Sequence, residues 1–469
     1  MLEYLNRYFR ISAQGSNFRT EILGGVTTFM AMAYIIVVNP AILGSAELPD
    51  GRDLSVHTGA LMVATILTAV FGSLLMGVYA RRPIAVAPYM GENAFIAIGM
   101  AHMGMIITWE MRLSSVFFAG ILFLILTLLG LRRWLADSIS PSMKNSFAVG
   151  IGLFLFLVGV TQTGIIVNGL TGQQLNLATE PGILALQKNP PIKLGNLKET
   201  RVLLAIAGFV LITTLMYWRV RGGILIGIVV TGIAGFALNL SSFPKKSIFA
   251  LPTGESYNLG AIAGTPDLSI LRLEFFPILL TLLLISFLDT LGTLVAVGSA
   301  GGMLDEKGNM KDMQKPMIVD SLSCIFGGLV GTSTSGAFIE STIGVREGAR
   351  TGLAAVVTAL LFAVSLLFLP LFEPFHSLKY AYCPALMAVG VLMIGTISKI
   401  DFEDLTEAVP ALVTITMMLF TFNIANGLTA GLVFYPVMKF LCGKWREINL
   451  GMLVLGLMCL AYYLFGKPH

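Results

Sequence analysis

Three acidic residues stand inside apolar sequence, where a charge costs about 2.5 to 3.5 kcal/mol on insertion scales and marks a functional position by default. Asp289 lies in FFPILLTLLLISFLDTLGTLVAVG, far from either end of its run and with no basic residue within reach on the same helix. Glu340 lies in GTSTSGAFIESTIG and Glu92 in RRPIAVAPYMGENAF. Both stretches hold too many Gly, Pro, Ser and Thr residues for a continuous lipid-facing helix, and such backbone survives at membrane depth only when buried in protein or lining a cavity. A carboxyl in that setting accepts hydrogen bonds from a solute's donors and is a candidate proton carrier. The plainer roles are a helix-to-helix hydrogen bond for Asp289 and a place near the membrane surface for Glu92 and Glu340.

Bond-making chemistry finds little support in the same residues. GTSTSG (331 to 336) approaches a nucleophile elbow but lacks the final glycine in register. There is no HExxH, no phosphate-binding loop and no dinucleotide fingerprint. His57, His102, His376 and His469 fall in expected loops or at the chain end, and Cys324, Cys383, Cys442 and Cys459 are too widely spaced for a metal site. No cofactor, metal or nucleic acid is expected, and the cysteines read as small core residues.

The elements that must position the acids follow from composition. Of 469 residues, 56% are hydrophobic and 12% charged, against roughly 25% charged in soluble domains. Apolar runs recur from residue 21 to residue 465 with no polar domain between them, so the chain reads as an all-α polytopic membrane protein. Runs near the span length lie at 21–43, 58–79, 112–131, 143–163, 201–219, 222–240, 273–298, 351–371, 381–397, 407–423 and 427–441. Three pieces, 84–103, 316–331 and 334–345, are shorter or broken, and 448–465 is a last apolar run that either spans or lies at the interface. The total is about fourteen segments. Residues 1–20 are polar and basic, without the apolar core of a secretory signal, so the first helix is expected to direct insertion. Most of the 30 Lys and Arg residues fall in alternate loops that share a side with the N-terminus, among them Arg81, Lys144, Arg219, Arg346, Lys399 and Lys444. This favours a cytoplasmic N-terminus.

The halves also resemble each other. Ala148-Val149-Gly150 in KNSFAVGIGLF matches Ala388-Val389-Gly390 in PALMAVGVLMI, YMGENAF (89 to 95) matches AFIESTI (337 to 343), and GGILIG (222 to 227) matches NGLTAG (426 to 431). Two sets of seven segments must enter the membrane in opposite senses, because seven is odd. Inverted repeats with broken segments in corresponding places are the sequence signature of secondary transporters, and the breaks point to the binding site. The half-helices there would offer N–H donors while the acids accept, which suits a planar heterocycle with N–H and C=O edges; Phe338 or Phe95 could supply a stacking face. The expected divisions are an N-terminal segment 1–20, a first repeat 21–240, a connecting loop 241–272, a second repeat 273–441 and a C-terminal linker with its extra segment 442–469. A channel, or a carrier for another solute such as an anion, remains the alternative at this level.

The residues TTFMAMAYIIVVNPAIL (27 to 43), PIAVAPYMGENAF (83 to 95), SFLDTLGTLVAVGSAGG (286 to 302), SGAFIESTIGVREGARTGL (335 to 353) and PALVTITMMLFTFNIANGLTAG (410 to 431) resemble the nucleobase/cation symporter-2 family. The match is nearest to its adenine/guanine/hypoxanthine permease branch. The resemblance implies a 7+7 inverted repeat with core and gate domains, short strands in segments 3 and 10, a homodimer in the cytoplasmic membrane and uptake of a nucleobase, a purine foremost, with protons. It implies substrate contacts from Asp289, Glu340, Glu92, Asn93, Ala94, Phe338, Ile339, Thr293 and Thr28, with Glu92, Asp289 and Glu340 as proton-coupling candidates. The chain departs from the branch at Glu92, where GMGLNAF is the more common sequence, and in SGAFIES, which lacks a Thr-Thr-Tyr run.

Overall fold

Helices form wherever the apolar runs approach the roughly 20 residues that cross a bilayer's hydrocarbon; the computed structural model describes residues 2–103, 105–131, 134, 138–168, 192–241, 249, 252–304, 310 and 312–465. The first half contains α1 (Leu2–Phe9), α2 (Phe18–Met32), α3 (Ile35–Gly44), α4 (Thr58–Val78), β1 (Val86–Pro88), α5 (Met90–Ala97), α6 (Trp109–Leu128), α7 (Pro141–Gln162), β2 (Ile166–Asn168), β3 (Ile192–Leu194), α8 (Thr200–Tyr217) and α9 (Gly223–Ala237). The second contains α10 (Phe276–Ala300), α11 (Gln314–Val330), β4 (Ser335–Ala337), α12 (Ser341–Arg346), α13 (Gly352–Ser365), α14 (Leu369–His376), α15 (Lys379–Ile394), α16 (Leu405–Phe420), α17 (Ile424–Leu441) and α18 (Leu450–Phe465). Among the described residues, nine helical stretches are long and apolar enough to cross a membrane, and Gly223–Ala237, Leu405–Phe420 and Leu450–Ala461 are shorter apolar helices.

Two bodies emerge from the packing. α2, α4, α6, α11 and α13 pack on one another, while α7, α8, α9, α15, α16 and α17 form a second group. These are the core and gate of a 7+7 inverted repeat. β1 and β4, from corresponding places in the two halves, pair antiparallel with Val86 opposite Ala337, Ala87 opposite Gly336 and Pro88 opposite Ser335. Segments 3 and 10 are therefore each a strand followed by a half-helix, α5 or α12.

Two readings of single segments change. The run 316–331, expected to be short or broken, is the continuous helix α11: Pro316 sits in its first turn, where a missing N–H costs nothing. The run 21–43, expected to be one helix, turns at Ala33 and Tyr34 between α2 and α3. Most of the 164–200 loop lies outside the described residues; its ends pair as β2 and β3. The last run forms α18, whose buried side, Met452, Leu455 and Cys459, packs on α17. Cys324 and Cys383 are buried as well, whereas Cys442 is exposed.

Candidate functional site

A two-stranded ribbon at membrane depth leaves the outer edge of each strand with polar backbone that lipid cannot satisfy. Side chains complete both edges here. Ser73 of α4 receives the Val86 N–H at 2.9 Å and donates to the Val86 carbonyl at 3.1 Å. On the β4 side, Asp320 Oδ2 accepts from the Ala337 N–H at 2.9 Å, and the Cys324 thiol donates to the Ser335 carbonyl at 2.9 Å. Tyr89 N–H to Thr334 O and Phe338 N–H to Ala85 O, both 2.9 Å, extend the ribbon into the half-helices.

The ribbon sets the first turns of the two half-helices against one cavity of about 240 Å³ between core and gate. Its wall includes Met90 and Gly91 at the start of α5 and Phe338, Ile339 and Glu340 just before α12. Among the described residues the N–H groups of Gly91 in the first turn of α5 and of Ile339 just before α12 have no backbone acceptor, so both starts present a donor there, whereas those of Ser341, Thr342 and Ile343 bond to the Phe338, Ile339 and Glu340 carbonyls. Asp289 and Thr293, one turn apart on α10, supply the acceptor side. Glu340 Oε1 accepts from the Tyr34 hydroxyl at 3.0 Å. The Tyr89 and Phe338 rings stack with centroids 6.1 Å apart and planes 10° from parallel. Gly336 is needed beneath them, because a Cβ there would come within 2.2 Å of the Tyr89 hydroxyl. Ile339, on the cavity wall, is 54% exposed. A larger hollow of about 600 Å³ is lined by loop residues such as Glu47, Arg52 and Asp53 and by Lys379 at the start of α15. Arg52 is already paired with Asp50 and Glu110, and no half-helix opens into that hollow, so the smaller cavity is the candidate.

Of the residues singled out in the sequence, Asp289, Glu340, Phe338, Ile339 and Thr293 meet on this cavity. Four others are placed elsewhere. Glu92 is fully buried behind the wall, 3.3 Å from the Ser286 hydroxyl. Asn93 donates to Asn39 Oδ1 at 2.8 Å, and Asn39 in turn binds Thr65 and Thr332, so Asn93 ties the half-helix to the core. Ala94 is fully buried. Thr28 packs on α12 at Gly344, where a Cβ would come within 2.2 Å of the Thr28 hydroxyl oxygen. Phe95 is also fully buried, leaving Phe338 as the stacking ring with Tyr89. Helical geometry accounts for the division in α5: at about 100° per residue Glu92 points away from the side that Met90 and Gly91 present to the cavity, while Ala94 and Phe95 follow those two by four residues and so lie one turn, about 6 Å, farther from the helix start that opens there.

The structure adds residues that sequence reasoning passed over. Asp320 is fully buried on α11; besides holding Ala337, its Oδ2 accepts from the Thr290 hydroxyl at 2.8 Å, and Thr290 lies 3.1 Å from the Tyr89 hydroxyl. Because the Thr290 proton is committed to Asp320, Tyr89 donates to Thr290 and turns its lone pairs outward as acceptors. Tyr34 and Tyr89 thus join the acids on the cavity.

A model of the permease family (Xan_ur_permease) matches residues 19–430. The chain belongs to this family, the nucleobase/cation symporter-2 permeases. Guanine/hypoxanthine permease PbuG of Bacillus subtilis is 36% identical over 99% of this chain and 100% of its own. Adenine permease AdeQ of Escherichia coli is 36% identical over 96% of this chain and 94% of its own. Among solved structures, the transmembrane domain of the cyanobacterial bicarbonate transporter BicA superposes with a TM-score of 0.58 at 16% identity, covering 88% of this chain and 97% of that one. That likeness is one of fold.

In this permease both half-helices are also closed at their far ends by arginine. Arg112 of α6, 1% exposed, donates to the carbonyls of Ile96 (2.8 Å) and Ala97 (2.9 Å) at the end of α5 and to Glu47 O (2.7 Å). Arg350 donates to Val345 O (2.6 Å) and Ala349 O (2.8 Å) at the end of α12. A cation there satisfies orphan carbonyls and complements the helix dipole. Arg112→Met leaves the two buried carbonyls of Ile96 and Ala97 without this donor, at about 1 to 3 kcal/mol each. We expect it to lower the unfolding temperature of the purified protein sharply, with Arg112→Lys recovering part of the loss; an unchanged melting curve for Arg112→Met would contradict this role.

Proposed function

We propose that this permease is a purine nucleobase importer of the cytoplasmic membrane, working by alternating access and coupled to protons. The observation that carries the reading is the convergence of two half-helix N-termini with Asp289 and Glu340 on one small cavity between core and gate. Purine bases present ring N–H groups beside C=O or ring N acceptors. Asp289 and Glu340 accept from the N–H edge, the N–H groups at Gly91 and Ile339 donate to the acceptor edge, and Phe338 with Tyr89 offers a ring face. Thr293 sits one turn from Asp289 as a further hydrogen-bonding group. The curated relatives named for adenine and for guanine/hypoxanthine support the purine class. Two acids on the cavity argue against an anion as the solute, since half-helix N-termini without acids serve anions better.

The coupling proton is assigned to the group Glu92, Asp289 and Glu340. With the N-terminus cytoplasmic, the lining of the cavity by Ala148 near the start of α7 and Thr396 just past α15 supports a mouth toward the cytoplasm, an inward-open state. The working unit is a homodimer. The test is uptake of labelled hypoxanthine, guanine, adenine, xanthine and uracil into cells lacking their own base carriers, with and without a protonophore. Saturable uptake of one purine, abolished by the protonophore, is the expected result. Uptake of uracil alone would overturn the purine assignment, and uptake unaffected by the protonophore would overturn the coupling.

A further inference from the structure

Glu92 differs from the other two acids in its surroundings. Its side chain is fully buried, whereas its neighbours Met90 and Gly91 line the cavity. One carboxyl oxygen accepts from the Ser286 hydroxyl at 3.3 Å, and the other has no hydrogen-bond partner. Helices α3, α7 and α10 and the 3-10 turn Gly99–His102 pack on α5, and the turn's His102 is held by the Ile98 carbonyl at 2.9 Å and lies exposed against the Phe422 ring. α3 carries no charged residue, α7 carries only Lys144 in its first turn, and α10 brings Asp289. Tyr89, next to α5, and Cys324 of α11 are the other titratable groups within electrostatic range of Glu92. Among the described residues, no Lys, Arg or His forms an ion pair with Glu92. A carboxylate so placed is costly, and a neutral acid much less so.

Ser286 and Asp289 are three residues apart on α10 and so share a face. That face leads from the cavity, at Asp289, to the wall behind it, at Glu92, and the two carboxyls are within electrostatic range of each other. We infer that Glu92 is the proton store of the transport cycle rather than a contact of the base. A proton from cavity water protonates Asp289, passes to Glu92, and leaves Asp289 as the carboxylate that accepts from the base. After the base departs, the proton returns by the same route. This division of labour rests on the proposed base–proton symport and assigns its proton to one residue.

The experiment uses the full-length protein in proteoliposomes, with labelled hypoxanthine as base and a pH-sensitive dye. Glu92→Gln is expected to bind hypoxanthine within about threefold of the unmodified protein, while hypoxanthine no longer drives proton movement or accumulates against its gradient. Glu92→Asp, which keeps a carboxyl, is expected to retain proton movement at a reduced rate. Proton movement persisting in Glu92→Gln would overturn the inference, as would a loss of binding beyond tenfold in folded protein, which would make Glu92 a base contact. Should Glu92→Gln not fold, Ser286→Ala removes the one hydroxyl on Glu92 and is expected to shift the pH midpoint of uptake by about half a unit or more; an unmoved midpoint would overturn the inference. Unmodified protein that neither binds nor moves any purine would refute the transport reading instead.

Discussion

Replacing Glu340 with Gln is expected to cut the initial rate of purine uptake by about 100-fold at equal surface expression, equivalent to about 2.7 kcal/mol. The amide keeps the size of the side chain, so the helix start at Ser341 and the ribbon beside it should persist. What is lost is a charged acceptor. Glu340 faces the cavity and holds the Tyr34 hydroxyl at 3.0 Å, and a hydrogen bond to a charged group is worth about 1.5 to 3 kcal/mol. Tyr34→Phe removes only the orienting donor and is expected to cost about tenfold. Uptake by Glu340→Gln within threefold of the unmodified protein would remove Glu340 from the binding site.

The second large effect is expected at Asp320, which does not itself line the cavity but holds a residue that does, Ala337. Its Oδ2 accepts from both Ala337 N–H and Thr290 hydroxyl, and through Thr290 it sets the direction of the Tyr89 hydroxyl. Asp320→Ala strands a backbone donor of the ribbon at membrane depth and frees Thr290, a cost of about 1 to 3 kcal/mol for each group. Uptake should fall about 100-fold or more, and the unfolding temperature should drop with it. Asp320→Asn retains one acceptor oxygen and is expected to fold better than it transports, because the amide cannot serve both donors equally. An Asp320→Ala protein that melts and transports normally would contradict the claim that this carboxylate holds the ribbon.

The contrast between Asp320 and Asp289 shows what the sequence could and could not disclose. Asp289 interrupts a long Leu-rich run, so its presence alone marks it. Asp320 sits among Pro316, Ser321 and Ser323, where a polar residue is unremarked and the segment itself read as broken. The helical spacing of Asp320, Ser323 and Cys324 was the available signal: all three face β4, at Ala337 and Ser335. The two breaks were legible, because the halves carry matching irregular stretches around Glu92 and Glu340; the short strands came with the family resemblance, and their pairing into one ribbon is seen only in the structure. Tyr34 and Tyr89 gave no such sign, since an aromatic in an apolar run looks like core until a partner such as Glu340 or Thr290 is seen. Asn93, Ala94 and Thr28 came from family resemblance, which transfers the element a residue belongs to more faithfully than whether its side chain reaches the cavity.

The most direct test of the central claim is equilibrium binding of labelled hypoxanthine, guanine and adenine to the purified, detergent-solubilised protein, beside Asp289→Asn and Glu340→Gln. The account predicts that the unmodified protein binds one of these purines saturably, that other purines compete for it, and that either substitution weakens binding by at least about tenfold. Saturable binding left intact by both substitutions would place the base outside the cavity between core and gate and contradict the account.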